Sequence, residues 1–156
     1  MYLDLFKDLR GELAAHYGLD IEEPSGTVIN PSPDSIPLRD IQFFNNQFAR
    51  TIAIAPLVLI DFGRLDFSEI TKGYWAAPLK VRFYVVSDSI SMSDGQRHDR
   101  DLERHEDICK GIIRLFHRTK FTTAAKPLTL ASVERTLDYA GWMVTLLEFD
   151  TRIELT

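Results

Sequence analysis

The closing stretch of the chain limits its fold more than any other. Over residues 142–155 the side chains alternate with a period of two. Met143, Thr145, Leu147, Phe149, Thr151 and Ile153 fall on one side; Trp142, Val144, Leu146, Glu148, Asp150, Arg152 and Glu154 fall on the other. Alternation of this kind marks a long strand with one face against a core. The second side is apolar near its start and charged from Glu148 onward. One end of the strand is therefore expected to run beyond the cover of the domain. A partner lies just upstream. Residues 128–137 predict a strand with an irregularity near Ser132, and Asp138-Tyr139-Ala140-Gly141 supplies a turn, so an antiparallel hairpin is expected.

Two further strands are legible. Leu57-Val58-Leu59-Ile60-Asp61-Phe62-Gly63 is a β-prone run, apolar on both faces over most of its length and ended by glycine. Residues 79–86 alternate, with Leu79, Val81, Phe83 and Val85 on one face and Lys80, Arg82, Tyr84 and Val86 on the other. Residues 64–77 connect the two, and a Ser/Asp-rich loop is expected over 87–95. Two helices are predicted. Leu3, Phe6, Leu9, Leu13 and Tyr17 repeat at helical spacing, Gly18 is placed to end that helix, and Gly11 within it suggests a close packing contact. Over 99–117, Leu102, His105, Cys109, Ile112 and Phe116 form one seam, with acids toward the start and bases at the end, as the helix dipole favours.

Residues 19–40 hold four of the seven prolines, Pro24, Pro31, Pro33 and Pro37. Prolines this dense fix φ and remove donors, so a loop or arm is expected there. Residues 41–55 fit either a short strand or a helical turn. The resulting order α-β-β-α-β-β predicts one α+β domain over 1–156, with a mainly antiparallel four-stranded sheet and helices on one face.

Composition narrows the function. The chain has 156 residues, 45% of them hydrophobic and 26% charged, which is ordinary for one globular domain. The longest apolar run, 52–60, contains Pro56 and is far short of the ~18 residues a membrane span needs. Acids near Met1 argue against a secretory signal, and a single cysteine fits a reducing compartment. With 18 bases against 23 acids the net charge is −5, which disfavours a broad basic face for nucleic acid.

Three constellations could carry chemistry. Asp101, His105 and Cys109 stand at i, i+4 and i+8 and would line one helix stripe, so they could begin a metal site for a metal-dependent enzyme. The competing reading places Asp101 in a favourable first turn, His105 at a half-buried edge and Cys109 in the core as an inert thiol, far from a helix amino end that would activate it. Asp61 and Glu148 lie on separate strands and could face each other as a carboxylate pair, against which stands the reading of two solvated strand ends. Lys110, Arg114, Arg118 and Lys120, with Phe116 and Phe121 nearby, could touch nucleic acid or simply form a solvated helix face. No glycine-flanked nucleophilic serine and no phosphate-binding glycine loop occurs. No catalytic residue, metal or cofactor is assigned on this basis.

The element order, the amino-terminal helix, the two inner strands, the middle helix and the closing hairpin resemble the tail-terminator, or tail-completion, proteins of long-tailed bacteriophages and prophage-like elements. The resemblance spans about residues 41–154 plus the first helix, and leaves 19–40 without a counterpart. It implies a structural protein and no enzyme. Such proteins form a ring, commonly hexameric, that caps the tail tube, stops its growth and meets the head connector. The implied partners are copies of itself, the tail-tube protein and the head-connector protein. The implied place is the virion tail, and the bacterial host cytoplasm during assembly. Glu148, Asp150, Arg152 and Glu154 are the expected contact residues. A head–tail adaptor or another small tail protein would share these features.

Overall fold

A computed structural model describes residues 2–31, 38–44, 55–88, 99–135 and 142–156. The element order is α1 (Tyr2–Tyr17), β1 (Asp20–Glu22), β2 (Thr27–Ile29), β3 (Asp40–Phe43), β4 (Leu57–Phe62), β5 (Ser68–Thr71), β6 (Tyr74–Asp88), α2 (Asp99–Phe116), β7 (Thr129–Arg135) and β8 (Trp142–Leu155). The class is α+β, as expected. The sheet differs from the expected four antiparallel strands. It has six, in the order β3-β4-β6-β8-β7 with β5 beside β6, and it is mixed, because β3 runs parallel to β4. The expected turn at 138–141, the loop beyond Asp88, Pro33, Pro37 and the stretch 45–54 lie outside the described residues.

The extra strands have physical reasons. In 19–40, Pro24 and Gly26 sit in a turn between β1 and β2, so they permit a small antiparallel hairpin instead of forbidding a ladder. β6 starts at Tyr74, ahead of Pro78. The Arg152 carbonyl opposite Pro78 points away and accepts from the Ala125 N–H at 2.7 Å, so this pair exchanges no ladder bond. The proline nitrogen therefore faces the side between β5, which pairs with residues 74–76, and β4, which pairs with 81–86. No donor is needed there.

Both helices cover one face of the sheet. Tyr2 stacks on Phe62 with ring centroids 5.2 Å apart, and Phe6 meets Phe43 edge-on at 5.5 Å. Phe116 of α2 stacks on Phe83 at 5.0 Å, and Phe149 meets Phe83 edge-on at 5.5 Å. The buried positions of β8 on this face are Met143, Thr145, Leu147, Phe149, Thr151 and Ile153, as the alternation predicts. Gly18 ends α1 at φ 67°, and the Leu19 N–H reaches back to the Ala14 carbonyl at 2.8 Å, closing a Schellman turn over the buried Leu19. The Tyr17 hydroxyl donates to the Ile108 carbonyl at 3.3 Å and ties the end of α1 to α2.

Two glycines invite opposite outcomes. Gly26 has φ 77°, and a β-carbon there would lie 2.5 Å from Arg10 Nη1, which donates to the Gly26 carbonyl at 3.2 Å. The Arg10 guanidinium also lies over the Phe6 ring, 5.1 Å from its centroid. Gly26→Ala is therefore expected to destabilise by about 1–3 kcal/mol. Gly11 makes no close packing contact: nothing lies within 4 Å of a β-carbon built there. Gly11→Ala should stabilise the helix by up to about 1 kcal/mol, and thermal melting of both variants checks the contrast.

Candidate functional site

The sheet face away from the helices carries the charges that the closing strand displays. Register places them in rows. Asp61 of β4, Arg82 of β6 and Glu148 of β8 stand side by side, and Lys80 stands beside Asp150 one row on. Arg82 Nε donates to Glu148 Oε2 at 3.0 Å, and its Nη1 lies 3.9 Å from Asp61 Oδ2. Lys80 Nζ reaches Asp150 Oδ1 at 2.9 Å and Glu148 Oε1 at 3.2 Å. Asp61 and Glu148 thus form no carboxylate pair, because Arg82 stands between them and binds both. Further along β8, Arg152 Nε lies 4.0 Å from Glu154 Oε1.

Burial acts to raise the Glu148 carboxyl, but hydrogen bonds from Arg82 and Lys80 outweigh it and hold the group below its ordinary value. Asp150, and then Glu148, hold the Lys80 amine above its own. A depressed carboxyl stabilises the fold above its unfolded-state pKa, and that contribution fades as pH falls through the folded value. Exposed pairs of this kind add little to stability but fix the pattern of charge shown to a partner. Toward the other end the same face turns apolar and is buried. Ala55, Leu57, Leu59, Val86 and Val144 are buried there, with Phe44, Tyr84 and Trp142 packed against them, and the Phe44 and Tyr84 rings stack at 4.8 Å.

The proposed contact residues are therefore on one face but not equivalent. Glu148 is largely enclosed by Lys80 and Arg82. The side chains of Asp150 and Glu154 are 56% and 40% exposed, open enough to meet a partner. An open cleft of about 480 Å³ adjoins Glu154, lined also by Lys120, Thr122 and Thr123 from the loop after α2. The sequence did not mark it, because its residues come together only where that loop folds against the end of β8.

The other candidate cluster lies inside the protein. His105 is buried, not at a half-buried edge. Its Nδ1 is 2.7 Å from Ser87 Oγ and its Nε2 is 2.7 Å from Thr145 Oγ1, so hydroxyls from both central strands occupy the two ring nitrogens. Cys109 and Asp101 are buried on the same helix. Among the described residues, no group of three His, Cys, Asp or Glu side chains is placed to hold a metal ion. His105, which would have to be the central ligand, is instead a crosslink between α2, β6 and β8. Phe116 and Phe121 are buried as well, so neither can stack on a base beside the basic residues of α2.

Burial, with the Glu106 charge adding to it, pushes the Cys109 thiol from 9.0 to about 11, against a hydrogen bond with Thr145 that lowers it. The thiolate is thus scarce at pH 8. A disulfide reagent should label native Cys109 more than about 100-fold slower than the denatured chain, since two pKa units alone remove that share of thiolate. Because the folded value lies above the unfolded one, this neutral thiol favours the fold below pH 9, and the benefit is lost as pH rises from 9 to 11. Equal labelling of native and denatured protein would contradict the burial.

No protein-family model matches the sequence, and no curated protein matches it.

Proposed function

We propose that this chain is a structural assembly protein of the tail-terminator type, which forms a ring on the end of a phage-type tail tube and presents a surface to the head connector. The observation that carries this reading is the row of exposed charge on the sheet face opposite α1 and α2, continuing to the end of β8. Partner contact needs such a surface, and a rigid sheet holds its charges in fixed register. The polar groups best suited to chemistry, Ser87, His105 and Cys109, are buried and engaged with one another's neighbours, which favours a structural role for them. The net charge of −5 would also keep DNA from adhering to a ring through which it must pass.

Size-exclusion chromatography with light scattering, in the presence of tail tubes, tests the reading. Wild-type protein should join the tube fraction. The double variant Asp150→Lys/Glu154→Lys, with both changes at exposed positions, should lose that association by at least tenfold while melting near the wild-type temperature. Association with a purified connector but never with a tube would point to a head–tail adaptor instead.

A further inference from the structure

We infer that α2 docks antiparallel on α2 of a second copy, across a two-fold axis between Ile108 and Cys109. The inner side of α2 carries the buried His105, Ile108, Ile112 and Phe116. At about 100° per residue, Glu103, Asp107, Lys110 and Arg114 fall within about 60° of arc opposite that seam. All four are exposed, as are Asp99 one turn before them and Arg118 in the turn after the helix. This outer ridge reads acid, acid, acid, base, base, base. Arg104 interrupts the order in sequence but lies about 100° round the helix from Glu103. Among the described residues, no hydrogen bond or ion pair engages the side chains of these six.

The two blocks work against an isolated helix. Asp99, Glu103 and Asp107 repeat at i, i+4 and i+8, and so do Lys110, Arg114 and Arg118, so like charges are neighbours along the ridge. The helix dipole favours acids in the first turn and bases in the last, and Asp107 and Lys110 lie in neither. A second copy turned end to end answers both blocks. With the axis between residues 108 and 109, Asp107 faces Lys110, Glu103 faces Arg114 and Asp99 faces Arg118, and each pair occurs twice. Sliding one copy by a turn in one direction leaves Asp99 unmatched and sets the two Lys110 side by side. Sliding it in the other leaves Arg118 unmatched and sets the two Asp107 side by side. A parallel helix would set acid against acid. The charge pattern therefore selects a copy of this chain, its direction and its register. α2 lies on the opposite side of the sheet from Asp150, and a two-fold contact closes on two copies. The pairing is thus separate from the tube-capping surface and stands or falls independently of it.

Sedimentation equilibrium at about 200 μM protein and about 0.05 M salt tests the pairing, since the screening length there is between about 10 and 30 Å and facing side chains still attract. Wild-type protein should show twice the 17.9 kDa mass of the chain, and about 0.5 M salt should weaken the association at least tenfold. Glu103→Lys/Asp107→Lys and Lys110→Glu/Arg114→Glu, each with the wild-type circular dichroism spectrum, should be monomers alone and should form a one-to-one complex when mixed. Register is read with Cys109 left buried in the core. Under mild oxidation, Glu103→Cys mixed with Arg114→Cys should form the intermolecular disulfide at least tenfold faster than Glu103→Cys alone. A wild-type monomer, a dimer indifferent to salt, reversed variants that ignore each other, or equal crosslinking rates would each overturn the inference.

Discussion

Replacing Phe83 by alanine is expected to lower the unfolding free energy by about 3–5 kcal/mol. Phe83 is fully buried at the middle of β6, with Ile60 of β4 on one side and Leu147 of β8 on the other. Its ring stacks on Phe116 and meets Phe149 edge-on, so it joins the sheet to α2. Truncation removes the buried surface and both ring contacts, and the laddered strands on either side prevent the cavity from collapsing. A domain of this size has only about 5–15 kcal/mol in total, so the variant should unfold at visibly lower denaturant and melt roughly 6–20 °C lower. Leu3→Ala, at a position 60% exposed, is the matched control and should change stability by no more than about 0.5 kcal/mol. Equal losses at the two positions would contradict the placement of the core.

His105→Ala is expected to cost about 2–4 kcal/mol, a large effect for a polar residue. The imidazole links Ser87 and Thr145 through bonds of 2.7 Å on each side, in a part of the core closed to water. Removing it strands the buried Ser87 hydroxyl, leaves the Thr145 hydroxyl with Cys109, and opens a void between α2 and the sheet. Ser87→Ala in the same protein should make the His105→Ala loss smaller, because the stranded hydroxyl is then gone; a double-mutant cycle measures this coupling. Denaturant titration of the three variants measures both effects, and a His105→Ala loss below about 0.5 kcal/mol would contradict the crosslink.

Much of the fold was legible where one face of an element is buried. The alternation in β8 identified both the core face and the switch from apolar to charged on the other, and the same row of charge appears in the structure beside Lys80 and Arg82. α1 was legible from its stripe and from Gly18. β3 was not, because four residues whose apolar positions are interrupted downstream carry too little pattern, and nothing local announces a parallel neighbour. The β1–β2 hairpin was hidden by Pro24, whose turn role is invisible without its partner strand, and the first residues of β6 were hidden by Pro78, whose missing donor faces a gap between neighbours. The site was legible only in part. Glu148 and Asp61 were recognisable as strand carboxylates, but that Arg82 stands between them follows from register, which comes from tertiary packing. His105 was placed on the right helix face but too near solvent, because its hydroxyl partners come from two strands distant in sequence.

The central claim is that this protein works by docking on an assembly, and electron microscopy of growing tail tubes tests it most directly. Tubes incubated with the protein and then supplied with fresh tube subunits should carry one ring of added density at one end and stop lengthening. Tubes that bear no density at either end and lengthen as fast as untreated ones would contradict it.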